Sequence, residues 1–188
     1  MKYTPIPEGF MPWQPSTWPE SPDVYEADFL VTFDRIIKET MLDEISNVIN
    51  DAMQVNDGLI HRGHVVLLAL LCAVDSIAAY SFNGGVGDRY RFFIENYFPN
   101  DYRPHAADIY KLYRNSSVHS WNLFQAGIWP GNEALKVTTN GTLSFGLLNF
   151  NSALIVAVDS FLADIPKKAD LQANALSRYT ELKNSALA

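Results

Sequence analysis

The sequence predicts an all-α fold, an up-and-down bundle of four to five helices with a small β-hairpin at about residues 136–145 before the last long helix. Three observations carry that expectation. Apolar residues recur at helical spacing through long stretches of the chain. Two stretches, from about Arg62 to Phe82 and from about Leu148 to Ile165, are apolar on nearly every side, as helices are when others surround them. The one clear strand signal is Lys136-Val137-Thr138-Thr139, then Asn140-Gly141, then Thr142-Leu143-Ser144-Phe145, a hairpin whose turn dipeptide favours type I′ geometry.

Taken in order, residues 1–22 hold six prolines together with Phe10, Trp13 and Trp18. Proline removes backbone donors and pushes the residue before it to extended geometry, so these residues read as an extended arm. Two tryptophans are costly to leave in water, which places the arm on the bundle or on a neighbouring subunit. The bundle itself is expected over residues 23–165. Helix 1 starts near Asp23 and runs to about Asn56, with Phe29, Phe33, Ile36, Ile37, Leu42, Ile45, Val48 and Ile49 at helical spacing. Asn56-Asp57-Gly58 breaks it. Helix 2, from about Arg62 to Phe82, should be covered all round by others. After the turn at residues 83–88 comes a short helix with Tyr90, Phe93, Ile94 and Tyr97 on one side. Pro104 then opens helix 3, which continues through Ile109, Leu112 and Tyr113 to about Phe124. Helix 4 follows the hairpin, and residues 166–188 form a polar C-terminal tail with weak helical character.

Bulk composition narrows the function. A chain of 188 residues suits one domain, and 48% apolar against 19% charged residues supplies a core rather than disorder. A formal net charge of -7 argues against a broad basic surface that coats nucleic acid, though not against a small local basic site. Cys72 is the only cysteine, so the chain expects neither an internal disulfide nor a cysteine-built zinc site. The N-terminus lacks the basic start and apolar run of a signal peptide. The longest apolar stretch, Val65 to Tyr80, is shorter than the roughly 20 residues a bilayer needs and contains Asp75. A cytoplasmic protein without a membrane span, metal or cofactor is the expectation.

The stretch richest in chemistry is Tyr110-Lys111-Leu112-Tyr113-Arg114-Asn115-Ser116-Ser117-Val118-His119-Ser120-Trp121. Arg114 is always charged and can hold a phosphate oxygen bidentately. His119 titrates near neutrality and can pass a proton either way. Those are the two capacities needed to cleave RNA without metal: a base for the ribose 2′-hydroxyl and a cation for charge building on phosphorus. On an α-helix Asn115 and His119, four apart, share a face, while Arg114 and His119, five apart, diverge by roughly 140°. A two-fold dimer packing these helices would bring both copies into one groove. Arg103, His105, Lys111, Arg114 and His119 face only Asp101 and Asp108 nearby, so this segment is locally basic and suited to docking a phosphate.

The run from Leu112 to His119 resembles the signature of the HEPN superfamily, an arginine, a polar residue, a short spacer and a histidine. The layout over roughly residues 24–165 is similar too: two long helices, a connector, the signature helix, a short insertion and a closing helix. The resemblance implies a helical-bundle domain of a kind often found as metal-independent RNases in toxin–antitoxin and other defence systems. It implies a homodimer with Arg114 and His119 at the dimer groove, Asn115 supporting them, and an acid on an earlier helix, for which Asp75 is the best placed. RNA or a nucleotide, and an antitoxin-like partner protein, would be its partners. Some toxin members carry a tyrosine two residues beyond the histidine, where a partner enzyme modifies it. Here that position is Trp121, which departs from the pattern.

Each of these readings has a plainer counterpart. Arg114 could cap a helix end, His119 could be a hydrogen-bonded core histidine, and Asp75 a structural acid paired with a base. The same bundle would then be a catalytically silent dimerisation or nucleotide-binding module working with a partner protein. His61 and His64, three apart, lack further metal ligands nearby, so a solvated helix start is expected. Gly84-Gly85-Val86-Gly87 lacks the lysine of a phosphate loop and reads as a plain turn. Cys72 in its apolar run reads as inert packing. The aromatics Tyr90, Phe92, Phe93, Tyr97 and Phe98 read as core more readily than as a base-stacking platform.

Overall fold

The computed structural model describes residues 30, 33–54, 58–115, 126–139 and 141–186. The expectations for the N-terminal arm, for the start of helix 1, for the end of helix 3 and for His119 lie outside the described residues. Within them the protein is mostly helical, with a small three-stranded mixed sheet ahead of the last two long helices. The six helices are α1 Asp43–Gln54, α2 Gly58–Ser81, α3 Val86–Tyr97, the single turn α4 Ala106–Asp108, α5 Leu147–Asp164 and α6 Ala169–Ala186.

Helix α2 is the hub, packing against α1, α3, α5 and α6. Val66, Leu67, Leu70, Leu71, Val74, Ile77 and Ala78 on it are buried, at roughly 1.5–3 kcal/mol for each large aliphatic side chain. Its burial is not all-round as expected, because Val65 is 53% exposed and Cys72 is exposed. Cys72 is therefore not simply core packing. By length and composition Arg62–Ser81 and Leu147–Lys167 could each cross a bilayer, but 50% and 39% of those windows are buried inside the protein. Core helices have this composition because they are covered by other elements instead of lipid.

Around α2 runs a chain of aromatic contacts. Phe33 meets Phe161 at 6.4 Å, Phe161 meets Phe93 at 5.7 Å, and Phe93 meets Phe98 at 6.0 Å, each edge to face. Phe98 continues to Phe150 at 5.5 Å, and Phe150 stacks on Phe145 at 4.7 Å. The tilted and edge-on geometries suit ring quadrupoles, so these pairs add to their area burial. The aromatic side of α3 is thus core: Tyr90, Phe93, Tyr97 and Phe98 are buried.

Two stretches depart from α winding. Ile36–Leu42, leading into α1, and Ile109–Asn115, following α4, are π-wound. The expected helix 3 is accordingly three segments in succession, a 3₁₀ turn at Arg103–His105, then α4, then the π-wound Ile109–Asn115. Pro104, without an N–H, suits the tight 3₁₀ start.

The expected hairpin is present as β2 Lys136–Val137 antiparallel to β3 Leu143–Gly146. Its turn is wider than a two-residue type I′ turn. Thr138 N–H bonds to the Thr142 carbonyl at 2.9 Å and Gly141 N–H to the Thr138 carbonyl at 2.8 Å, so three residues are enclosed. Gly141 has φ +81°, the left-handed position that closes such a loop with a bulge. A further strand, β1 Ala126–Trp129, has no counterpart in the sequence reading and pairs parallel with β3, giving the order β1-β3-β2. The Tyr113 hydroxyl, shared between the carbonyls of Gly127 at 2.9 Å and Leu143 at 2.7 Å, pins the sheet to the 109–115 segment.

The last element is the largest difference in kind. Residues 169–186, expected as a polar tail with weak helicity, form the 18-residue α6 along α2. Leu171, Ala175 and Tyr179 on it are buried, four apart and hence on one helix face.

Candidate functional site

Two of the residues singled out in the sequence, 39 positions apart, meet in the fold. Asp75 stands near the C-terminal end of α2, and Arg114 is the last residue but one of the π-wound segment packed on it. Arg114 Nη2 donates to Asp75 Oδ2 at 2.8 Å. Their side chains keep 18% and 28% of their exposure, so the pair is withdrawn from bulk water yet still open to a solute. Coulomb attraction is stronger there than between freely solvated charges.

The guanidinium is held on its other sides as well. Arg114 Nη1 reaches Asn115 Oδ1 at 3.3 Å, a long bond between neighbours in sequence. The guanidinium carbon lies 5.7 Å from the centroid of the Tyr110 ring, within cation–π range. Tyr110 in turn tilts against Tyr90 of α3, with ring centroids 5.3 Å apart. Gly87 makes that approach possible, since a Cβ there would lie 3.0 Å from Tyr110 Cε1. The glycine turn therefore does more than reverse the chain; its last glycine seats the tyrosine beside Arg114.

Electrostatics follow the geometry. Burial opposes the Arg114 charge, but the Asp75 carboxylate outweighs it and holds the guanidinium above its already high range. Burial pushes the Tyr90 hydroxyl well above the ordinary phenol range, and Asp75 adds to the effect while Arg114 opposes it. Cys72, one turn before Asp75 on α2, has its thiol raised by partial burial and by the same carboxylate, again against Arg114. Cys72, Asp75, Tyr90, Tyr110, Arg114 and Asn115 thus form one polar cluster on the flank of α2. Within it the buried Arg114 Nε and Tyr90 Oη have no hydrogen-bond partner among the described residues. Buried polar atoms are ordinarily paired, so two unpaired ones beside one ion pair mark unspent hydrogen-bonding capacity. Chemically the cluster offers a fixed cation, a carboxylate that orients it and a neutral hydroxyl, a set able to receive an oxyanion.

The other candidates lie elsewhere. Arg103 Nε donates to the Phe98 carbonyl at 2.7 Å and so closes the C-terminal end of α3. His105 Nδ1 lies 4.0 Å from Asp108 Oδ2. They sit eleven and nine residues back along the chain from Arg114, or roughly 14–17 Å at helical rise. Lys111 is exposed on the π-wound segment. The locally basic stretch is therefore spread along its helix rather than gathered at the ion pair. His119 and Trp121 lie outside the described residues. Among the described residues no group of three or more potential metal ligands occurs.

Sequence reasoning named Asp75, Arg114 and Asn115 but not Tyr90, Tyr110 or Cys72 as their neighbours. A phenol at a core position of α3 was the available signal, since a buried hydroxyl asks for a partner. No family model, curated protein or solved structure matches this chain.

Proposed function

We propose that the chain is a HEPN-like, metal-independent endoribonuclease that acts as a homodimer in toxin- or defence-type RNA cleavage. The observation that carries this reading is the Arg114–Asp75 ion pair, half-withdrawn from water at the head of the Arg-Asn-x-x-x-His run. An RNase of this kind needs a cation whose position survives without substrate, and Asp75 with the Tyr110 ring gives Arg114 that position. The bundle would be the up-and-down arrangement of that superfamily, with the three-stranded sheet as an insertion before its closing helices.

In this mechanism His119 removes the proton of a ribose 2′-hydroxyl, and the resulting alkoxide attacks the adjacent phosphorus. Arg114 stabilises the charge on the phosphorane-like transition state, and Asn115 orients the pair. The P–O5′ bond breaks and the leaving oxygen takes a proton, from His119 itself or from its copy across the groove. Products carry a 2′,3′-cyclic phosphate and a 5′-hydroxyl.

A second reading is favoured by the same contacts. A guanidinium occupied by Asp75, Asn115 and Tyr110 also suits a catalytically silent dimerisation or nucleotide-binding module, in which the pair serves structure.

The deciding experiment is cleavage of total cellular RNA by the purified protein in EDTA, beside His119→Ala, Arg114→Ala and Asp75→Asn. The nuclease reading expects cutting with 2′,3′-cyclic phosphate ends, lost by about 100-fold or more in the first two variants. Asp75→Asn should lower turnover while the fold is retained. Full cutting by the Arg114→Ala variant would sink the proposal. Folded variants with no cutting even by the native dimer, across RNAs of several origins, would leave the silent module in its place.

A further inference from the structure

One apolar groove lies beside the ion-pair site without containing the pair. It lies on the seam where the π-wound turn and α1 meet α2, has a volume of about 400 Å³, and is lined by Met41, Ile45, Val48, Ala69, Cys72 and Ala73 among others. Val48 is 45% exposed, and beyond it towards the α1–α2 turn Met53 is 54% and Val65 is 53% exposed. Along α2, exposed Val65, half-buried Ala69 and exposed Cys72 and Ser76 are spaced by four, three and four residues, which is one helical stripe. This is the face of α2 that its all-round apolar sequence expects to be covered, and no described residue covers it.

We infer that the groove is the seat of the chain's own N-terminal arm, with Phe10, Met11 and Trp13 as the side chains that fill it. Three features point to this occupant. The first is chemistry. Residues 9–19 carry no charge and hold Phe10, Met11, Trp13 and Trp18, and their prolines at 12, 15 and 19 have no N–H left to satisfy in an apolar seat. The second is reach. Ile45 lies roughly 18 Å from Phe33 at helical rise. The twenty residues from Phe33 back to Trp13 reach up to about 66 Å when extended, more than enough for this part of the chain to arrive at the groove. The third is charge. Asp43, Glu44 and Asp51 are exposed on α1 beside the groove. A second copy seated about a two-fold axis would bring this acidic helix towards its own equivalent, whereas an uncharged segment meets no such repulsion. Tethering also makes the docking intramolecular, which raises its effective concentration. The groove runs up to the polar cluster, because Cys72 lines the one and senses the charges of the other.

Cys72 supplies the test, being the only cysteine in the chain and a member of the groove lining. The full chain and its Phe10→Ala/Trp13→Ala variant are treated with N-ethylmaleimide, and adduct formation is followed by intact mass. Neither substitution touches Asp75 or Arg114, so the thiol's electrostatic surroundings within the bundle are shared. The native chain should react at least about tenfold more slowly than the variant, at a rate independent of protein concentration. A Trp13→Phe variant, which keeps an apolar ring, should retain most of the protection. Circular dichroism of all three separates groove opening from loss of fold. Equal rates in native and variant chains would overturn the inference. So would protection that falls on dilution, whether or not the substitutions release it, because the cover would then come from a second copy.

Discussion

Arg114 shows how one side chain can be fixed from several directions by residues distant in sequence. Asp75 from α2, Tyr110 from its own segment and, through Tyr110, Tyr90 and Gly87 from α3 all bear on it. Removing the acid alone leaves a largely withdrawn cation without its partner. Asp75→Ala should therefore destabilise the fold by about 1–3 kcal/mol, more than Arg114→Met, which removes the charge and keeps the packing. Urea denaturation midpoints of the two variants check the order. The buried phenols give a second expectation at this scale. Burial raises Tyr90 well above the usual range, and raises Tyr102 and Tyr113 strongly as well. In the unfolded chain these groups ionise near the ordinary phenol value of about 10, so above that pH the unfolded state loses protons that the folded state keeps. Their contribution is fully present below about pH 10 and falls as pH rises beyond it. Melting temperature should hold level up to pH about 9 and drop steeply past about 10, with phenolate absorbance lagging until the protein unfolds. A simple titration of these tyrosines in the folded protein would contradict it.

At the level of elements, the join between β3 and α5 is a close one. Gly146 N–H bonds to the Glu133 carbonyl at 2.8 Å and Leu148 N–H to the Gly131 carbonyl at 3.1 Å, so the loop at residues 131–133 closes over the start of α5. A Cβ on Gly146 would sit 2.3 Å from Gly131 O and 2.6 Å from Glu133 N, both backbone atoms that cannot swing aside. Gly146→Ala should cost about 3 kcal/mol or more, read as a lowered thermal midpoint, and alanine is also a poorer N-cap than glycine. Gly141→Ala makes the contrast: nothing lies within 4 Å, and only its φ of +81° resists, so about 1 kcal/mol is expected. The elements themselves were legible to different degrees. α2 and α5 announce themselves by long apolar runs, and β2–β3 by alternation around Asn140-Gly141. β1 does not, because Ala126-Gly127-Ile128-Trp129 has no alternation of its own and is a strand through its ladder with β3 and the Tyr113 hydroxyl.

Across the whole molecule, α6 decides how the core is closed. Its polar composition hides a sparse stripe, Leu171, Ala175 and Tyr179, that covers α2. That stripe was present in the sequence at a spacing of four, but a stripe of one leucine, one alanine and one tyrosine, with Leu176 and Leu182 off it, is a weak periodic signal beside those of α2 and α5. Leu171→Ala should destabilise by about 2–4 kcal/mol, and ending the chain at residue 168 should abolish the cooperative melt. A truncated chain that melts like the native one would show that α6 adds nothing to the core. Retention of the melt in Leu182→Ala, on the 39% exposed Leu182, serves as the control.

By itself the sequence determined that this is a mostly helical chain, where its two most apolar helices run, that a hairpin lies between them, and which arginine and acid carry the chemistry worth testing. Those are local properties: periodicity, turn residues and the identity of ionisable groups are written along the chain. Tertiary structure alone decided that Asp75 meets Arg114, that Tyr90 and Cys72 stand beside them, that one stripe of α2 lies open and that α6 is part of the core. Each of these depends on which faces of distant elements come together. Burial and pairing free energies set that choice, and they are properties of two surfaces at once, which no single stretch of sequence contains.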